Sequence, residues 1–380
     1  MQLKPFQMSA RLGRRVDFKS SVLLILGMQC ADVLAQAPNQ AANVTNAVIR
    51  QTESMKAADA LKSQVPAQKP EEEVAPETYP GESEDLGPQV LLKQKKKRDP
   101  LFEFSSDTMF MWTSNALTAG LNDPNKARTS IVSETFSLAL APKAWDVGSG
   151  KLSLRTGYRH TLWIYDIKEA NSTGLNLNNF QASTVFSNLR YVFAENWAAS
   201  FGLDYTRVLN SVFSGQNWKI KNFWEDHWGE SYTDISPNWS LERTVSIGEK
   251  AGLSLTYSGG FHFSKSPSLK SPNGSGLRDL DKLDNALSVG LAYLPSQQWM
   301  LQPNIRLLHC YFTRNMTAND PSQNRRTTSL APGLSVMWMP KPAVSIRLSA
   351  AADFFRSNDI DQPSYNKHDF SVGVTANLRF

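Results

Sequence analysis

The chain ends on "DFSVGVTANLRF", residues 369–380, and this stretch limits the possible folds more than any other. Phe370, Val372, Val374, Ala376, Leu378 and Phe380 share one parity, while Ser371, Gly373, Thr375, Asn377 and Arg379 share the other. Side chains alternate across a β-strand, so this pattern gives one apolar and one polar face. It recurs in "LSLRTGYRHTLWI" (152–164), "WAASFGLDY" (197–205), "LSLTYSGGFHF" (253–263) and "VSIRLSAAADF" (344–354). About twelve such segments, each about ten or more residues long, start near 101, 130, 151, 182, 197, 232, 251, 285, 299, 327, 343 and 369. Globular strands average about five or six residues. A strand that crosses a bilayer at a tilt needs about nine to eleven.

The connections separate a membrane barrel from a soluble sandwich. Every second one is short: "APKAWDVGSG", "AEN", "SIGEK", "PSQQ" and "PKP". The others, 114–129, 166–179, 209–231, 264–284, 313–326 and 356–368, are long and polar. Short periplasmic turns alternating with long outer loops characterise outer-membrane barrels. Trp145, Phe193, Trp197, Tyr293, Trp299 and Trp338 flank the short turns, as an interfacial aromatic girdle requires. The expected fold is all-β: a transmembrane antiparallel barrel of about twelve strands over residues 101–380, with the last strand pairing to the first so that no edge remains in lipid. Pro237, Pro303 and Pro332 fall inside proposed strands, which predicts either local bulges or boundaries displaced by a few residues.

The C-terminal strand ending in Phe380 resembles the assembly signal of bacterial outer-membrane β-barrel proteins. The resemblance covers residues 101–380 and reaches no subfamily, so it assigns no residue a role. It implies outer-membrane lipids and the barrel-assembly machinery as partners and the outer membrane as location.

The segment before the barrel reads differently. Lys4, Arg11, Arg14, Arg15 and Lys19 precede the apolar run "SVLLILGM" (21–28), and "ADVLAQA" follows, which predicts a signal peptide over 1–35 cleaved after Ala35. That run is too short to span a membrane as a helix. Cys30 would leave with the signal, and Cys310 alone remains, so no disulfide is expected. Residues 36–100 read as a mostly disordered periplasmic extension: a weak helix at 43–65, a proline-rich acidic linker at 66–88 and a basic run at 93–98. A periplasmic partner for this extension is the matching expectation. The net charge of +5 over 380 residues, with no compact basic domain, argues against nucleic-acid binding.

If the apolar parity faces lipid, the polar parity lines the lumen. The inward set is Lys151, Arg155, Arg159, Arg190, Arg306, Arg347 and Arg379, against Glu103, Asp107, Asp204, Asp234, Glu242 and Asp353. So many charges are tolerable only inside. They fit a water-filled passage whose arginines favour anions, or a lumen braced by ion pairs, with Glu103 and Arg379 as a closing pair. Twelve strands lie between filled and open barrels.

The loop "QNWKIKNFWEDHWGES" (216–231) offers Trp218, Trp224, Glu225, Asp226, His227 and Trp228 as an extracellular ligand loop, or as a loop that buries its own aromatics. Asp279, Asp281 and Asp284 read as a solvated surface. Enzymatic signals are thin: "HFS" (262–264) pairs a histidine with a serine, but parity points both inward, whereas lipid hydrolysis needs them outward. HExxH, CxxC and nucleophile-elbow motifs are missing, and no metal site or cofactor is expected. The leading expectation is a non-enzymatic, porin-like passive channel for small hydrophilic solutes, anions and oligosaccharides among them. The alternatives are a closed anchor or export-associated barrel and, more remotely, a lipid hydrolase.

Overall fold

The structure, a computed structural model, describes residues 101–380 apart from 117–119, 122–127, 166–178, 195, 212–227, 249, 266–279, 317–319, 321, 342 and 361. The expectations for residues 1–100 lie outside the described residues. The described residues form thirteen antiparallel strands: β1 (Phe102–Thr113), β2 (Thr129–Leu140), β3 (Trp145–Val147), β4 (Gly150–Tyr165), β5 (Phe180–Ala194), β6 (Trp197–Ser211), β7 (Trp228–Ile247), β8 (Ala251–Lys265), β9 (Lys282–Ser296), β10 (Trp299–Met316), β11 (Asn324–Lys341), β12 (Val344–Ser357) and β13 (Tyr365–Arg379). All but the three-residue β3 reach 12 residues or more, enough to cross a bilayer at a tilt.

Each long strand pairs with its neighbours in sequence, β2 bridges directly to β4, and β13 pairs with β1 from Glu103↔Arg379 to Thr113↔Asp369. The sheet therefore closes on itself as a twelve-strand barrel. Backbone bonds at the seam continue to the chain end, where the Phe102 N–H donates to the Phe380 carbonyl at 2.9 Å and the Phe380 N–H donates back to Phe102 at 3.0 Å. The terminal strand is the closing strand.

β3 lies within "APKAWDVGSG" and pairs only with the start of β4. Gly148 (φ 58°) supplies the left-handed residue that this tight hairpin needs. The three prolines stay inside β7, β10 and β11. Neither a bulge nor a strand end marks them: each pairs on one side, and on the other the ladder skips residues 236–237, 302–303 and 331–332 without changing register. A missing N–H costs the ladder one rung, and the strand runs through.

The outward parity is apolar on nearly every strand, with Phe110, Leu138, Val185, Phe201, Phe263, Leu307, Leu348 and Val372 all exposed. A soluble protein rarely shows so continuous an apolar surface, whereas a bilayer requires it. At the turn end, Trp299 stacks on Trp338 with ring centroids 6.2 Å apart, and Phe193 on Trp197 at 6.4 Å. These rings form the predicted girdle at the headgroup level.

Candidate functional site

The lumen is built by the inward parity, and three of its arginines follow one steric rule. Arg155 on β4 reaches across β2 to Glu103 on β1, with Nε 3.0 Å from Oε2. Arg190 on β5 reaches across β6 to Glu242 on β7 at 3.1 Å. Arg347 on β12 reaches across β13 to Asp107 on β1 at 3.4 Å. In each case the strand crossed offers a small residue below the guanidinium: Ala139, Ser200 and Gly373. Glu103 also receives Arg379, its partner across the seam, at 3.1 Å. Arg155 and Arg159 both lie over the Phe186 ring, at 5.5 and 5.4 Å. Stacking against an aromatic face holds two like charges in fixed positions.

The other predicted lumen residues occupy the same surface. Arg159 is buried beside Asp204. Asp353 is buried and accepts from Ser329 at 2.5 Å and from Tyr365 at 3.3 Å. Arg306 is half-buried on β10, and Lys151 is exposed at the turn end of β4.

The opposite wall is rich in small residues. Ser254, Ser288, Gly290, Gly333, Ser335 and Ser349 carry the inward parity of β8, β9, β11 and β12 at middle height. Beside them the inward Asn304 and Ala351 are exposed, so solvent reaches into the barrel there. The lumen thus has Arg155, Arg159 and Arg190 clustered on β4–β5 and a wall rich in small residues on β8–β12, where Arg306 stands between Ser288 and Ala331.

Towards the loop end it tightens. Met111, Ile131, Trp163, Phe180, Val208 and Tyr232 line β1, β2 and β4–β7, and all are buried. His262, Asp284, Cys310, Thr327, Phe355 and Tyr365 complete the circuit on β8–β13, also buried. His262 is the hub of the polar side. Its Nδ1 lies 2.8 Å from Asp234 Oδ2 on β7, and its Nε2 lies 2.8 Å from Asp284 Oδ2 on β9. Ser236 Oγ lies 3.0 Å from Nδ1, and Ser264 Oγ donates to Asp234 Oδ1 at 2.7 Å.

This geometry corrects the reading of Asp281 and Asp284 as solvated surface; Asp279 lies outside the described residues. Asp281 and Asp284 are buried; the Asp281 carboxylate accepts from the Ser264 N–H at 2.7 Å, and Asp284 holds His262. A run of acids at a loop edge gave no hint that the strand begins at Lys282 and turns Asp284 inward. The "HFS" pair does point inward, and its histidine bridges two aspartates rather than activating Ser264.

Among the ligand-loop candidates, Trp218, Trp224, Glu225, Asp226 and His227 lie outside the described residues. Trp228 belongs to β7, which begins there and not near 232, opposite Ser211. No group of three or more His, Cys, Asp or Glu with metal-site geometry occurs among the described residues.

No protein-family model matches the chain, and no curated protein matches it by sequence. Solved structures of similar shape are outer-membrane barrels. An outer membrane channel from Pseudomonas putida F1 has TM-score 0.45 and 11% identity, over 74% of this chain and 97% of that one. The β domain of the Bordetella autotransporter BrkA has TM-score 0.40 and 10% identity, over 73% and 99%. The NanC porin has TM-score 0.38 and 10% identity, over 72% and 100%. The likeness is of fold alone, and no residue takes a role from it. The closed strand order and the lipid-facing surface define this chain as an outer-membrane β-barrel.

Proposed function

We propose that the barrel is a passive channel for small hydrophilic solutes, with a preference for anions. One observation carries this reading: the exposed inward residues Asn304 and Ala351 lie on a wall rich in small side chains, beside the inward Arg306 and across the barrel from the guanidiniums of Arg155 and Arg159. A watery path beside immobilised positive charge concentrates anions and repels cations. The ring of buried side chains at the loop end is then the constriction that limits solute size. Acidic oligosaccharides fit the same chemistry. Under this proposal Phe380 and its strand engage the assembly machinery, and residues 36–100 contact an envelope partner.

Current through the mature chain in a planar bilayer tests this. Discrete steps with an anion-selective reversal potential are expected, and neutral substitution of Arg155 and Arg159 reduces that selectivity.

A second reading, a closed anchor barrel, draws on the same buried ring and on the ion pairs that bind the predicted lumen cations Arg155, Arg190, Arg347 and Arg379. Silence from a verified folded barrel, relieved by replacing Trp163 and Phe355 with alanine, distinguishes it from the channel.

A further inference from the structure

Among the described residues, one carboxylate, Glu134, lies within the apolar belt of the lipid-facing surface, and a polar patch surrounds it. Ser106 and Thr108 on β1, Glu134 on β2, Tyr158 and His160 on β4 and Ser183 on β5 all carry the outward parity. They do not sit at the rim of the belt. Along β1 the two hydroxyls have Phe102 and Phe104 on one side and Phe110 and Trp112 on the other. Along β2, Glu134 lies between Val132 and Phe136.

Within the patch the groups bond to one another. Ser106 donates to Glu134 at 2.9 Å, and the Thr108 hydroxyl donates to its second oxygen. His160 Nδ1 lies 3.0 Å from Ser183 Oγ, and the Tyr158 hydroxyl lies 3.0 Å from the same oxygen. Phe136 is opposite His160, and Leu162 is opposite Glu134, so acid and imidazole stand on neighbouring strands one diagonal step apart. Among the described residues, no cation pairs with Glu134 and no carboxylate with His160. The far side of the barrel shows lipid Leu287, Leu307 and Leu330, and the outward polar row beside them, Asn285, His309 and Thr328, holds no carboxylate. A carboxylate inside the apolar belt is costly without a partner.

We infer that this face of β1, β2, β4 and β5 is where two copies of the chain meet in the membrane. Acyl chains offer the patch no hydrogen bonds. An anionic headgroup drawn down to it would meet Glu134 as a like charge. A second copy, related by a twofold axis along the membrane normal, brings its His160 to Glu134 and its Glu134 to His160. That match is self-complementary, as an isologous interface requires, and polar side chains hold spans together in lipid. The inference does not depend on whether the lumen conducts.

The test uses the mature chain in lipid vesicles. Phe136→Cys places a thiol at the centre of the patch, and Leu307→Cys places one on the far wall; the native Cys310 is buried. A short bis-maleimide is expected to link Phe136→Cys into dimers and to leave Leu307→Cys monomeric. Adding Glu134→Gln and His160→Phe to the Phe136→Cys chain lowers the dimer yield about tenfold, as expected for lost polar contacts in lipid. Heat-modifiable gel mobility confirms that each variant is folded. Equal linking at both positions, or dimers that persist without Glu134 and His160, overturns the inference. A monomer that retains phospholipid in native mass spectrometry, and releases it on Glu134→Gln, overturns it in favour of a lipid site.

Discussion

Arg347 and Asp107 lie on strands β12 and β1, on either side of the closing strand, and meet over Gly373 at 3.4 Å, with Asp107 only 1% exposed. The Thr375 hydroxyl donates to the other oxygen of the same carboxylate. The contact spans three strands at the seam, so it helps fix β13 in register while the barrel closes.

Removing one partner of a buried pair strands the other. Arg347→Ala therefore destabilises the barrel by about 3–5 kcal/mol, read from urea unfolding in detergent followed by tryptophan fluorescence. Arg347→Met combined with Asp107→Leu recovers most of that loss, because the penalty comes from the uncompensated charge and not from the missing attraction.

His262 supports a second buried network. Without the imidazole, the carboxylates of Asp234 and Asp284 lose the group that bridges β7 to β9. His262→Ala is expected to cost about 3 kcal/mol or more by the same unfolding assay. Ser264→Ala costs about 1 kcal/mol, since it removes a single hydrogen bond.

Gly157 is fixed by steric contact. A Cβ there would stand 2.2 Å from the Leu138 carbonyl oxygen and 2.7 Å from Ala139 Cα, both backbone atoms of β2 that do not yield. Gly157→Ala forces β2 and β4 apart and is expected to cost about 1–3 kcal/mol. The same substitution at Gly248, where nothing lies within 4 Å, strains only the local φ of 66° and leaves the pairing of β7 and β8 intact. Folded yield on a heat-modifiability gel separates the two.

Much of this architecture was legible because a period-two pattern fixes the facing of every residue once the strand is placed. The twelve expected segment starts fall within about four residues of strand starts, an ordinary error for boundaries. Register was not legible. Asp234, His262 and Asp284 converge only because β7, β8 and β9 pair at particular offsets, and a run of acids before β9 carries no sign of them. The small-residue wall was hidden for a different reason: Ser254, Gly290 and Ser349 are unremarkable one at a time and form a wall only in the closed barrel. Glu134 did carry a signal. It shares the parity of Val132, Phe136 and Leu138 in "TSIVSETFSLAL", and a lone acid in an apolar register was there to be read.

A water-accessible lumen with fixed positive charge must show itself in ion selectivity. Its most direct test is the reversal potential of single channels formed by residues 36–380 under a salt gradient, measured beside the Arg155→Gln, Arg159→Gln double variant. Anion selectivity is expected in the native barrel, reduced in the variant at similar conductance. Cation selectivity, or a ratio unchanged by removing both arginines, would contradict it.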